Sequence, residues 1–208
     1  MIDSKNEQAN DYLGGNAIRQ MFILALLYLP LGFFLWFFAA SLLMWPSGLL
    51  AGSVLSAVDG QLFERLVQLD FIFEIQTGVV LPEPVDGQQV ALNLEVNPMI
   101  YAWGMALLFG LSMATPLSTL RRVVQLAVGF LVVTLITTWG VCFDALTQLA
   151  FRSGPEAAMA ARGLGLSMDF IALGYQLGYL MLPAVIPVAT WIVMNRAFIE
   201  THVIHKPS

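Results

Sequence analysis

The sequence predicts an all-α membrane protein: four transmembrane helices, an interfacial amphipathic helix and a small extracytoplasmic β-hairpin. Three observations lead there. The chain of 208 residues is 58% hydrophobic and only 11% charged, with a mean hydropathy of +0.77, whereas a soluble domain carries about 25% charged residues. Several long runs hold no charge at all. Between two of them lies one polar stretch whose apolar residues alternate, the period of a strand.

The elements follow in order. Residues 1–20 are polar and read as a loosely ordered cytoplasmic tail. Gln20 to Val58 contains no charged residue, too long a run for one crossing of roughly 30 Å at 1.5 Å per residue. A break is expected at Trp45-Pro46, because proline lacks a helix donor and tryptophan favours the headgroup level. This gives transmembrane helix 1 at 21–45. Beyond it, Leu49, Leu50, Val54, Leu55, Val58, Leu62, Phe63 and Leu66 recur at helical spacing between Ser53, Ser56, Asp59 and Glu64. Residues 46–67 therefore read as an amphipathic helix on the membrane surface, or else as a re-entrant or spanning one.

Residues 68–97 read as the hairpin. Leu69, Phe71, Phe73 and Ile75 alternate with Asp70, Glu74 and Gln76, and Val90, Leu92, Leu94 and Val96 with Gln89, Asn93 and Glu95. Thr77 to Gly87, with Pro82, Pro84 and Asp86-Gly87, supplies the turn. A two-stranded hairpin is marginal alone, so its apolar face needs a cover. Transmembrane helix 2 is expected at 98–120, closed by Arg121-Arg122, and helix 3 at 123–149. A small-residue loop at 150–168 precedes helix 4 at 169–195, which contains Pro183 and Pro187. The 196–208 tail ends the chain.

Four crossings put both termini on one side. That side holds Lys5, Arg19, Arg121, Arg122, Arg196 and Lys206, against Arg65, Arg152 and Arg162 opposite. The excess of basic residues marks the cytoplasmic side. The hairpin and the 150–168 loop then face outward. The scattered basic residues form no stripe, so no nucleic acid partner is expected. The lone Cys142 excludes an intramolecular disulfide and a CxxC site.

With that topology several polar residues share one depth: Asn97, Tyr101, Asp144, Gln148, Tyr175, Gln176 and Tyr179. Asp144 and Gln148, four apart, share a helical face. They form either a polar pocket that contacts a partner or substrate, or interhelical hydrogen bonds that hold the bundle. Gly174 and Gly178 form a GxxxG, a face for close helix packing. Asp169 reads as an N-terminal helix acid. No cofactor, metal motif or catalytic residue is expected. Cys142 belongs near the outer face and His202 and His205 to the cytoplasmic tail, too far apart for a thiol and an imidazole to act together.

Three runs carry a resemblance: Leu94-Glu95-Val96-Asn97-Pro98-Met99-Ile100-Tyr101, Phe143 through Phe151, and Ala172 through Leu180, followed by Pro183 and Trp191 to Phe198. Together they resemble the exosortase H-associated membrane proteins over about residues 20 to 200. The resemblance implies a bacterial inner-membrane location and an exosortase partner, the transpeptidase-like membrane enzyme of C-terminal sorting tails in Gram-negative bacteria. It carries over no functional residue. The reading is a non-catalytic accessory protein of such a sorting system, in contact with the lipid bilayer and an exosortase-like partner. The alternatives are a structural or assembly subunit of another envelope complex, such as a secretion or pilus apparatus, and a membrane hydrolase or lipid-modifying enzyme using Asp144.

Overall fold

The computed structural model describes residues 3–81 and 90–200, with side chains of the first helix described from Arg19 onward. Helix α1 (Asp3–Val58) is continuous through both Pro30 and Pro46. It therefore begins within the residues expected to be a loose tail, and it corrects the expected break at Trp45. Proline removes one donor, the one that would reach Leu42 O four residues earlier, and the neighbouring Ser47 hydroxyl donates to a different carbonyl, Met44 O, at 2.6 Å. More important is the face that continues across the proline. Ala40, Met44, Ser47, Ala51 and Leu55 are all buried, and that packing outweighs one missing hydrogen bond.

The helix ends at Asp59, whose Oδ1 accepts from the backbone N–H of Gln61 and of Leu62, both at 2.9 Å. Such a side-chain turn competes with helix continuation. The expected helix at 46–67 is thus corrected: its first half belongs to α1, and its second half is a strand. The apolar residues at 62, 63 and 66 fit a helical period, yet Phe63 and Leu66 lie in β1 (Phe63–Leu69).

The hairpin is accordingly a three-stranded antiparallel sheet in the order β1-β2-β3. β2 (Ile72–Val80) is central, pairing Leu66 with Ile75 on one side and Leu94 of β3 (Ala91–Val96) on the other. Phe73, Ile75, Thr77 and Val79 are buried along β2, as are Leu94 and Val96 on β3. Burying a large apolar side chain is worth about 1.5–3 kcal/mol, which is how a small sheet holds its place. The cover the hairpin required is α1: Gly48 admits the Phe73 ring, so that a Cβ there would stand 3.0 Å from it. The expected Pro82, Pro84 and Asp86-Gly87 turn falls outside the described residues.

After the sheet, α2 (Met99–Ala102) and α3 (Gly104–Ala114) make a short, interrupted apolar segment. It ends where Thr115, extended at ψ 136, precedes Pro116, as the steric demand of proline requires. The helix expected over 98–120 is therefore shorter than the about 20 residues of an ordinary crossing. α4 (Thr119–Phe151) is a long uninterrupted helix, and α5 (Pro155–Gly163) occupies the expected loop. α6 (Met168–Gln176), a π-helical turn (Leu177–Met181) and α7 (Leu182–Met194) form one rod, followed by α8 (Arg196–Ile199). Proline explains the π turn: Pro183 has no N–H to offer Tyr179, and the Leu182 N–H reaches back five residues to Leu177 O. Three helices, Arg19–Val58, Thr119–Phe151 and Met168–Met194, are long and apolar enough to cross a membrane.

Candidate functional site

The sheet end of the bundle holds a connected polar network. α4 places Asp144, Gln148 and Arg152 on one face by their spacing of four. Tyr101, fully buried on α2, donates its hydroxyl to Asp144 Oδ2 at 3.0 Å. Gln148 Nε2 donates to Asp144 Oδ1 at 3.2 Å and to Glu95 O at 2.9 Å. Both carboxyl oxygens are thus engaged, and Asp144 is only 6% exposed. The bond to Glu95 ties the end of β3 to the helix bundle. Gly140 makes room for all this, since any Cβ there would collide with the Tyr101 ring.

Arg152 caps the network. Its guanidinium stands 5.4 Å over the centre of the Tyr175 ring, a cation–π geometry. Hydrogen bonding to the Tyr175 side chain and, to a lesser degree, the nearby Asp144 carboxyl raise its pKa above the usual arginine value. Tyr175 in turn stacks on Tyr179, with ring centres 5.9 Å apart and planes 7° from parallel. That pair sits at the π turn, an irregularity often found at functional positions.

The structure therefore brings Tyr101, Asp144 and Gln148 into direct contact, with Tyr175 beside them under the Arg152 guanidinium. The others lie apart. Asn97 is exposed and its Oδ1 accepts from Met99 N at 3.0 Å, opening α2. Gln176 is exposed on α6 outside the network, and Tyr179 is 47% exposed. Gly174 faces α4 so closely that a Cβ would overlap the Phe143 ring, while Trp139 Nε1 donates to Gly174 O at 3.0 Å. Gly178 lies beside Gly140, a Cβ there coming 3.3 Å from its Cα. The close neighbour of the two glycines is thus α4 of the same chain.

Two features escaped the sequence reading. Arg152 completes the four-residue series begun by Asp144 and Gln148, and that spacing was there to be read. The second is another polar network, at the Arg121-Arg122 end. Gln125, 2% exposed, donates to Ser112 Oγ at 2.9 Å and accepts from Asn195 Nδ2 at 3.1 Å. Trp191 Nε1 donates to Thr115 Oγ1 at 3.0 Å, and Arg122 reaches Thr115 O at 3.4 Å. These residues come from α3, α4 and α7 and from the turn after α3, with no motif to link them. Asn195 Oδ1 and Arg122 Nε are buried there without a partner.

Cys142 is buried with its Sγ 3.9 Å from Ala51 O. Among the described residues no group of His, Cys, Asp and Glu is placed to hold a metal ion; His202 and His205 lie outside them. A cleft between α1, α3 and α4 is lined by Trp36, Met44, Ser47, Ala102 and Met105 among others. Its hydroxyls at Ser47, Thr134 and Thr137 are turned back onto their own helices.

No curated protein and no solved structure is similar enough to be matched. The sequence does match one family, described as exosortase H-associated membrane protein, over residues 15–198. That stretch takes in the candidate spanning helices, the sheet and both polar networks, and the chain accordingly belongs to the exosortase H-associated membrane proteins.

Proposed function

We propose that the protein is a non-catalytic accessory subunit of an exosortase-type sorting or surface-processing system in the bacterial inner membrane. The observation that carries this reading is the family match over residues 15–198. The site chemistry favours it over a hydrolase: Asp144 has both oxygens occupied and 6% exposure, and the Cys142 thiol is packed against α1. Neither offers a free reacting atom to a substrate. What the sheet-end network does offer is fixed geometry, holding β3 to α4 through Glu95 O.

In this reading the chain crosses the bilayer four times with both termini cytoplasmic. The direction of α3 supports the short second crossing. A Cβ on Gly32 of α1 would meet Ala106, and one on Gly110 would meet Leu29, so α3 runs against α1, whereas Ser47 meets Thr138 and Ala51 meets Cys142 in parallel order. Interrupted backbone within a membrane is tolerated where protein surrounds it, and α3 is buried on two sides, with Ala106 and Gly110 toward α1 and Leu108 and Ser112 toward α4. The accessible members of the candidate cluster, Tyr175, Gln176 and Tyr179, then form the partner-contact face on the outward half of the last rod.

Affinity capture of the full chain from mild detergent tests the proposal. An exosortase is expected in the recovered complex, reduced when Tyr179→Ala is substituted in a stably inserted protein. Recovery of a secretion or pilus complex free of exosortase would instead make the chain an assembly subunit of that apparatus.

A further inference from the structure

The turn joining β1 to β2 has the composition of a membrane-contacting surface. Asp70, at φ 56, makes the reversal, and it is flanked by Leu69 and Ile72, which are 54% and 39% exposed. Phe71 stacks on Phe37 of α1 with ring centres 6.0 Å apart. The polar neighbour is folded away: Gln68 Nε2 donates to Ser41 O at 2.7 Å and to Asp70 O at 3.0 Å. The turn thus rests on α1 at residues 37–41. On the same stretch of α1, Phe34, Phe38, Leu42 and Trp45 form an exposed apolar stripe at helical spacing. The apolar surface of the turn continues that stripe.

Two counts bound the height of the turn. About 20 helical residues cover the roughly 30 Å of hydrocarbon. Counted along α1 from Arg19, the far edge falls near residue 40. Counted along α4 from Arg122, it falls near Cys142, which touches Ala51 of α1. On either count, Phe37 to Ser41 and the turn against them lie at or inside the hydrocarbon edge.

We propose that the β1–β2 turn inserts into the leaflet on the sheet side, with Leu69, Phe71 and Ile72 against phospholipid acyl chains. The occupant follows from continuity with the α1 stripe, since one lipid-facing surface extends from helix to turn. The sheet is then held at three places: to α1 through Gln68, to α4 through Glu95 O, and to the bilayer through its tip. This inference requires only that the chain is a membrane protein, not that its partner is an exosortase.

The test uses the purified full chain in lipid nanodiscs, with Leu69→Cys or Ile72→Cys carrying an environment-sensitive NBD dye. Gln61→Cys, exposed at the other end of β1, is the reference, and the buried Cys142 provides the unlabelled blank. At both tip positions the emission is expected to shift to the blue. It should be quenched by phosphatidylcholine bearing a nitroxide near the top of its acyl chain and spared by aqueous iodide, with the opposite pattern at Gln61→Cys. Iodide quenching at the tip equal to that at the reference would overturn the proposal. So would protection from both quenchers, which would mean that a second copy of the chain covers the turn.

Discussion

The two polar networks make opposite use of the same device. At the sheet end, a carboxyl group accepts from a phenol and an amide, and the amide also holds a backbone carbonyl; both oxygens of Asp144 are used. At the other end, neutral amides and hydroxyls link Ser112, Gln125 and Asn195 beside the Arg122 guanidinium, and Asn195 Oδ1 and Arg122 Nε are left without partners. Gln125 and Asp144 are nineteen positions apart on α4, about 28 Å, close to the thickness of the hydrocarbon. In the proposed topology each network sits near where lipid gives way to headgroups. The difference is in what breaking them exposes. Removing one member of a closed set that contains an ionisable group strands the rest, whereas neutral interhelical bonds in membranes average about 0.6 kcal/mol.

That contrast orders the expected effects of substitution. The largest belongs to the close packing of α6 on α4 beside the sheet-end network. Gly174→Leu forces a side chain into the Phe143 ring and should cost about 1–3 kcal/mol or more by overpacking, read as a fall in the detergent melting temperature. Gly178→Ala, with its nearest neighbour at 3.1 Å on Trp139, should lose far less. If the two glycines prove equally tolerant, the close approach of α6 to α4 is wrong.

Next comes Asp144→Ala, which leaves the buried Tyr101 hydroxyl unsatisfied, at about 1–3 kcal/mol, and the Gln148 amide with only its bond to Glu95 O. A double-mutant cycle with Tyr101→Phe should show coupling of up to roughly 1.7 kcal/mol; additivity would separate the two residues. Asn195→Ala is expected to cost less, about 1 kcal/mol, and parity with Asp144→Ala would erase the distinction between the networks. The smallest effect is that of Gln68→Ala, about 0.5 kcal/mol, visible chiefly as faster amide exchange in β1 beside α1. Unchanged exchange there would show that the bond to Ser41 contributes nothing to holding the strand.

Much of the helical part is legible in the sequence because lipid tolerates little else: charge-free runs located the three long apolar helices, and the four-residue step placed Asp144 and Gln148 on one face. The sheet was legible only by halves. Residues 72–76 and 91–96 alternate, but Phe63 and Leu66 repeat at a helical interval, and only pairing with β2 turns that segment into a strand. Pro46 was misleading for a related reason. A proline signal is local, whereas the buried face from Ala40 to Leu55 that carries the helix through it depends on α4 and the sheet. The Ser112, Gln125 and Asn195 chain could not be read at all, since its members are scattered over three helices and each, alone, resembles an ordinary polar residue near a helix end.

The most direct test of an assisting, non-catalytic role is the processing of an exosortase substrate in cells carrying Asp144→Asn or Tyr101→Phe. Processing is predicted to follow the amount of variant protein found in complex with the exosortase, and to be retained wherever that complex is retained. Full recovery of the complex with processing abolished would contradict it and place Asp144 in the reaction itself.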